Sequence, residues 1–392
     1  MALILSRNEV QSLDKDSLVK FLSLGMREGS QTDYKENLSG DNKNESYKEF
    51  LKDITAFANA HGGLLLLGIK EPSDDCLGKN QIVGIKDGDC LSTDLERVAT
   101  TSVDPRIPGL LIKPIDISKN EHVIAIYIPP SLIRPHMVNY RNHRSFYIRH
   151  SESSVPMTTH EIRDTVLASA TSEGRARKYG LEEESEALEY LIGSQPAFLL
   201  QAIPLLSFET PWDVLSAPIE KIIRGEGRSN RYEHDQFSLV STIRPTPSLR
   251  GVIGRESRDA AQPWMTEIHR SGFVQAIYMK IQEATDDSSK FALHEGYADL
   301  FRAFCDLCDA LWKATQTDIP YLFRNKYFNA GTTGFFYRAD RFRGSSITSS
   351  YGRPVIAWPE QFRQVGESLE TIHRTWTEQL VHAFGLNLRV PS

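Results

Sequence analysis

Glu28-Gly-Ser-Gln-Thr-Asp33-Tyr34-Lys35-Glu36, followed after a polar loop by Ser46-Tyr-Lys-Glu49 and then Ala56-Phe-Ala-Asn59-Ala-His61-Gly62-Gly63-Leu-Leu-Leu-Leu-Gly68-Ile-Lys-Glu71, decides the fold. Asp33-Tyr34-Lys35 alternates as a strand does, so Asp33 and Lys35 share one face and Tyr34 turns to the other. Ser46 and Glu49 have the spacing of a capping box, and Tyr47, Phe50, Leu51, Ile54, Phe57 and Ala58 follow at helical intervals. Gly62-Gly63 stops that helix, and residues 64–69 form an apolar run short enough for a buried strand. If the two strands are neighbours, Glu71 approaches Asp33, and Glu28 reaches the same place from the preceding turn. Three carboxylates and one lysine then converge.

Carboxylates repel when they gather, and a hard cation such as Mg²⁺ or Mn²⁺ removes the conflict. Such an ion activates water and stabilises a phosphoryl oxyanion, with Lys35 adding positive charge. The same spacing also fits ordinary solvated acids at strand ends.

The blocks Glu28-x4-Asp33-Tyr-Lys35, Ala56-Phe-Ala-Asn59-x-x-Gly62-Gly63-x4-Gly68-Ile-x-Glu71 and Ile82-Val-Gly84-Ile resemble the Schlafen AlbA-type domain. That domain is also catalogued as a divergent ATP-binding or DNA-binding one. Arg134-Pro-His136-Met, Phe146-Tyr147-Ile-Arg149 and Pro156-Met-Thr-Thr-His-Glu161-Ile extend the likeness over residues 15–170. The resemblance implies a metal-dependent endoribonuclease cutting structured RNA, notably tRNA, with Glu28, Asp33 and Glu71 on the three acidic positions. Asp33 and Glu71 stand where Glu and Asp are usual, each changing reach by one methylene. Bacterial relatives also include regulators, so a non-catalytic DNA- or RNA-binding protein is the alternative. A nuclease of this kind would suit defence against phage. One lobe is visible where such nucleases use two, so a homodimer or higher homo-oligomer is expected.

With 392 residues the chain is long enough for two domains, and a formal charge of −6 leaves nucleic acid to be met by a local basic patch. Residues 122–151 hold no acid, but interleave Arg134, Arg141, Arg144 and Arg149 with Tyr140, Phe146 and Tyr147. Guanidinium groups can clamp phosphates and rings can stack on bases, so Arg134, Arg141, Arg144, Tyr147 and Arg149 form the expected RNA-facing strip. Alternation along residues 145–149 puts Phe146 and Ile148 in the core, with Tyr147 and Arg149 at the surface.

The expected architecture is α/β (α+β). A Schlafen AlbA-like domain with a mixed sheet spans residues 1–170, a charged linker 171–182, and a second α/β domain, of sensor or assembly role, 183–392. In the first, residues 14–24 and 93–101 read as helices, 81–85, 110–115 and 122–128 as strands, and a capping box at Thr158 opens a helix to about 170. In the second, 187–192 and 196–206 read as helices, 236–242, 264–270 and 273–279 as strands, and 290–315 and 359–384 as long helices. Cys305 and Cys308 lie within an apolar helical pattern and read as buried thiols rather than half a zinc site. Neither the loop Arg224-Gly-Glu-Gly-Arg228-Ser-Asn-Arg231 nor Gly78-Lys79 has Walker spacing, so no nucleotide cofactor is expected and ATP hydrolysis is disfavoured. The first residues lack a cationic lead and no run approaches about 20 apolar residues, which predicts a cytoplasmic protein away from membranes.

Overall fold

A computed structural model describes residues 5, 7–38, 42–73, 76–189, 195–206, 211–225, 239–240, 245–255, 264–279, 281–283, 289–315, 317–340 and 344–386. Residues 226–231 of the glycine-rich basic loop, and most of the strand expected at 236–242, lie outside these. The chain divides into two compact units, Met1–Ser172 with Gln364–Gly366, and Glu173–Arg363 with Glu367–Ser392.

The first unit runs α1 (Arg7–Ser12), α2 (Lys15–Leu22), β1 (Thr32–Lys35), α3 (Lys43–Asn59), β2 (Gly63–Leu67), β3 (Ile85–Lys86), α4 (Gly88–Ser102), β4 (Val103–Asp104), β5 (Leu111–Ser118) and β6 (Glu121–Ile128). After these come β7 (Met137–Tyr140), β8 (His143–His150), β9 (Ser153–Pro156) and α5 (Thr159–Leu188), which continues past Ser172 into the second unit. β1 and β2 are parallel neighbours with Asp33 opposite Leu65 and Lys35 opposite Leu67. β2, β3 and β5 pair antiparallel with β6, giving the expected mixed sheet. A smaller sheet, β4-β7-β8-β9, is covered by α3.

Leu65 and Leu67 join the core beneath α3 and α4, while Tyr34, Leu64 and Leu66 join the core beneath α1 and α2. A strand with both faces covered reads as an unbroken apolar run, and residues 64–67 do. α3 begins one turn earlier than its sequence spacing suggests, because Asn42 caps it by accepting from the Asn44 and Glu45 amides. The Thr158–Glu161 box forms as expected, with Thr158 N–H donating to Glu161 at 2.7 Å and Glu161 N–H to the Thr158 hydroxyl at 3.3 Å.

In the second unit the elements are β10 (Ala197–Pro204), α6 (Ala217–Ile223), β11 (Thr246–Pro247), β12 (Gly251–Arg255), β13 (Trp264–His269), β14 (Val274–Tyr278) and β15 (Gln282–Glu283). They continue with β16 (Phe291–His294), α7 (Ala298–Thr315), β17 (Tyr321–Phe328), β18 (Thr333–Asp340), β19 (Gly344–Ile347), β20 (Val355–Ala357), β21 (Gln361–Arg363) and α8 (Glu370–Ala383). The large sheet, β11-β12-β13-β14-β10-β17-β20, is antiparallel throughout, with β21 also on β17. Cys305 and Cys308 are buried free thiols of α7, and burial pushes both thiol pKa values up. They are packing groups. No helix of the described residues is long and apolar enough to cross a membrane.

Several segments differ from their sequence reading. Residues 196–206 are strand β10, since a continuous apolar run carries no period that separates a buried strand from a buried helix. Residues 171–182, expected as a linker, are helical and form part of α5, a mostly solvated helix whose charges hide its period. The long helices begin late: Phe291–His294 and Gln361–Arg363 are strands, so Phe362 and Val365 lie ahead of α8. Residues 81–85 contribute only the end, at Ile85, of their expected strand.

Asn59 ties α3 to the smaller sheet. Its amide donates to the His136 carbonyl at 2.9 Å and the Tyr147 carbonyl at 2.8 Å, and its oxygen accepts the His136 N–H at 2.6 Å. Gly62, at φ +73°, leaves α3 where a Cβ would meet Ile128 O at 2.6 Å. Replacing Asn59 with Ala strands three buried backbone groups, and is expected to lower unfolding free energy by about 3 kcal/mol in denaturant titrations.

Candidate functional site

Asp33 and Lys35 project together from β1 towards α3, as alternation predicts. Asp33 is 4% exposed, and burying a charge there requires partners. The Lys35 ammonium stands 3.4 Å from Asp33 Oδ2 and 3.3 Å from Asp53 Oδ2. Arg149 Nη1 lies 3.6 Å from the same Asp33 oxygen. Two carboxylates and two cations thus form one charged quartet, with Asp33, Asp53 and Arg149 buried and Lys35 partly exposed.

Burial alone would disfavour the Lys35 charge, but the Asp53 and Asp33 carboxylates outweigh it and hold its pKa above the ordinary lysine value. Asp53 is pushed up, chiefly by burial, against the pull of Lys35. Asp53 Oδ1 accepts from the Ser154 hydroxyl at 3.0 Å, whereas the buried Oδ2 accepts no hydrogen bond among the described residues. Sequence reading missed Asp53. Its signal was there: a carboxylate on the apolar stripe between Phe50 and Phe57.

Glu28 sits at the open edge of β1, where Oε1 accepts the Tyr34 N–H at 3.0 Å. Its pKa is raised, first by burial and further by the nearby charges of Asp33 and Glu71, with the Tyr34 bond opposing. Glu71 lies beyond the end of β2, and its charge also acts on Tyr34, whose hydroxyl is pushed up to about 12, mainly by burial. The three acids therefore share one electrostatic neighbourhood. Among the described residues, however, the trio whose ligand atoms all come within 4.8 Å of one another is Glu183, Glu267 and His269, not these.

The oxygen donors of Glu28, Asp33 and Glu71 suit Mg²⁺ or Mn²⁺ chemically. The mutual repulsion of Glu28, Asp33 and Glu71, which adds to burial in raising Glu28, is what a divalent cation would relieve.

The basic strip separates. Arg141 and Arg144 are exposed on the β7–β8 hairpin, with Arg141 5.7 Å from the Tyr140 ring centroid and Arg144 Nε donating to Asn139 at 3.3 Å. Arg134 donates to the Ala60 carbonyl at 2.7 Å, completing the end of α3. Tyr147 and Arg149 are buried, reversing the expected parity, because α3 covers the face of β8 that carries them. The Tyr147 hydroxyl is 2.7 Å from His143 Nε2. Arg149 stacks 4.4 Å from the Phe57 ring centroid and donates to Gly29 O at 3.0 Å, so it fixes the turn that carries Glu28.

Residues 28–158 match the Schlafen, AlbA_2 family. Among solved structures, the N-terminal domain of a RecG-related protein from Nitrosomonas europaea is 19% identical with a TM-score of 0.27, covering 38% of this chain and 94% of that one. A Corynebacterium diphtheriae protein is 18% identical with a TM-score of 0.25, covering 38% and 31%. A search of curated proteins returns no match.

The raised Glu28 pKa fixes a pH dependence. The folded state holds this proton more tightly, so its contribution is fullest at low pH and declines as pH rises from the unfolded value near 4.5 through the folded one. In EDTA, wild type is expected to lose stability relative to Glu28→Gln as pH rises above the unfolded value near 4.5, read as diverging denaturation midpoints.

Proposed function

We propose, from the premise that residues 28–158 are a Schlafen AlbA_2 domain, that this protein is a divalent-metal-dependent endoribonuclease acting on structured RNA, with tRNA the first substrate to test. The observation that carries this reading is the gathering of Glu28, Asp33 and Glu71 in one electrostatic neighbourhood beside a lysine held charged by two buried carboxylates.

In this reading Glu28, Asp33 and Glu71 hold Mg²⁺ or Mn²⁺. When bound, such an ion supplies an activated water and a countercharge for phosphoryl oxygens. Lys35 stays protonated across the physiological range and presents its charge to a phosphate accumulating negative charge. Asp53 orients that ammonium, and Arg149 holds the Glu28 turn against β1. Arg141 and Arg144 meet the RNA backbone, where guanidinium groups bind phosphate oxygens in pairs. A second copy of the chain would supply the other lobe of a two-lobed grip, and a defensive role against phage suits an activity this damaging to its host.

One observation favours a second reading, that of a non-catalytic nucleic-acid-binding regulator. Asp33 faces two cations, Lys35 and Arg149, and the charges of the quartet balance without metal.

Purified protein incubated with total tRNA and Mn²⁺ or Mg²⁺ separates the two. Cleavage abolished by EDTA and reduced at least about 100-fold by Asp33→Ala is the expected result. Intact tRNA with an EDTA-insensitive gel shift would favour the regulator. On either reading, Arg141→Ala with Arg144→Ala is expected to weaken RNA binding, and to flatten the slope of log affinity against log salt by about 1.5.

A further inference from the structure

The large sheet of the second unit has two unlike faces. Trp264, Ile268, Val274 and Ala276 enter the main hydrophobic core, while the C-terminal half of α5 lies over the other face. On that face polar residues stand side by side in register: Glu267 opposite Gln275, Gln275 opposite Gln201, and Gln201 opposite Arg324. They form a directed ladder. Arg324 Nη1 donates to Gln201 Oε1 at 2.8 Å, Gln201 Nε2 to Gln275 Oε1 at 3.1 Å, and Gln275 Nε2 to Glu267 Oε2 at 2.8 Å.

The ladder ends at a cluster of a different character. Glu267 and His269, two apart on β13, share the face beneath α5, and Glu183 comes down from the helix. One ligand atom from each lies within 4.8 Å of the others, and the Glu183 and His269 side chains are each 5% exposed. His269 Nδ1 is 2.9 Å from the Tyr179 hydroxyl, while Nε2 faces Glu267 Oε2 at 3.9 Å, beyond hydrogen-bond reach. Two donors held by one ion at about 2.1 Å each stand about 3–4 Å apart, so that spacing suits a shared cation. An imidazole held at one nitrogen by an outer partner, with its other nitrogen beside two carboxylates, is how proteins present histidine to a metal.

We propose that His269 Nε2, Glu183 and Glu267 form a second metal site, for a first-row divalent transition metal typified by Zn²⁺, which clips α5 to β13. The imidazole selects against Mg²⁺ and Ca²⁺, which take oxygen ligands. Tyr179 orients His269, Gln275 orients Glu267, and Arg250, 2.5 Å from Glu183 Oε1 and 2.8 Å from Glu186 Oε1, retains Glu186 when the ion engages Glu183. The site stands on residues of the second unit alone and is independent of the nuclease reading.

The test uses the full chain, stripped with EDTA and desalted, in wild type and in Asp33→Asn, which disables the acidic site of the first unit. Calorimetric titration with Zn²⁺, and visible absorption on adding Co²⁺, are expected to show one equivalent bound with nitrogen ligation in Asp33→Asn. Adding His269→Gln is expected to remove it, and Tyr179→Phe to weaken it about 10- to 100-fold. Failure of Asp33→Asn to bind Zn²⁺ would overturn the site, as would unchanged Co²⁺ bands in the His269→Gln protein. If His269→Gln fails to fold by circular dichroism, Tyr179→Phe decides: unchanged affinity overturns the proposal and weakened affinity supports it.

Discussion

Parallel strands cannot be joined by a tight turn, and most of the first unit follows from that constraint. β1 and β2 run parallel, so the chain between them must cross over the sheet, and α3 is that crossover. The helix then covers the face on which Asp33 and Lys35 project. Asp33 is thereby withdrawn from water and Lys35 partly so, and their charges must be balanced locally. Asp53 answers from the helix and Arg149 from the smaller sheet on the helix's other side. The charged quartet is a consequence of connectivity as much as of chemistry.

This explains what could be read from the sequence and what could not. The shared face of Asp33 and Lys35 follows from a strand's period of two and needs no knowledge of the rest of the chain. Asp53 was visible in principle, because a carboxylate on an apolar helical stripe requires a partner, but its partner is fixed only when α3 folds over β1. The parity of β8 was not visible. Alternation says that Tyr147 and Arg149 share a face, whereas which face is buried depends on where α3 lies, a contact spanning nearly a hundred residues of chain. For β10 the local signal was silent, since Ala197-Phe-Leu-Leu-Gln-Ala-Ile is apolar on every side and lacks a period to read. Gln201, its one polar interruption, makes sense only beside Gln275 and Arg324 on neighbouring strands.

The two units treat buried polarity differently. In the first, charge is concentrated at a single site at the sheet edge, with apolar layers filling the rest. In the second, a row of polar residues crosses one sheet face beside the apolar patch of Leu199, Met265 and Ile277, and its helix is held by hydrogen bonds and ion pairs as well: Arg324 and Lys326 both reach Glu184, at 3.0 and 2.6 Å. Apolar packing tolerates sliding, whereas a ladder of paired donors and acceptors is satisfied in one alignment only. The register of α5 on that sheet is therefore set by hydrogen-bond matching rather than by shape alone.

Glu28 carries a further consequence through the bond it makes to the Tyr34 amide. β1 is an edge strand, and an edge with unpaired donors and acceptors is a template on which another chain can add a strand. Here the Tyr34 N–H is taken by Glu28, and the Thr32 carbonyl accepts from Gly29 N–H at 3.0 Å. The turn bearing the acid is thus also a bolt across the sheet's open side. A further strand cannot pair with Tyr34 and Thr32 while that turn is closed, and loosening it would trade a blocked edge for an adhesive one.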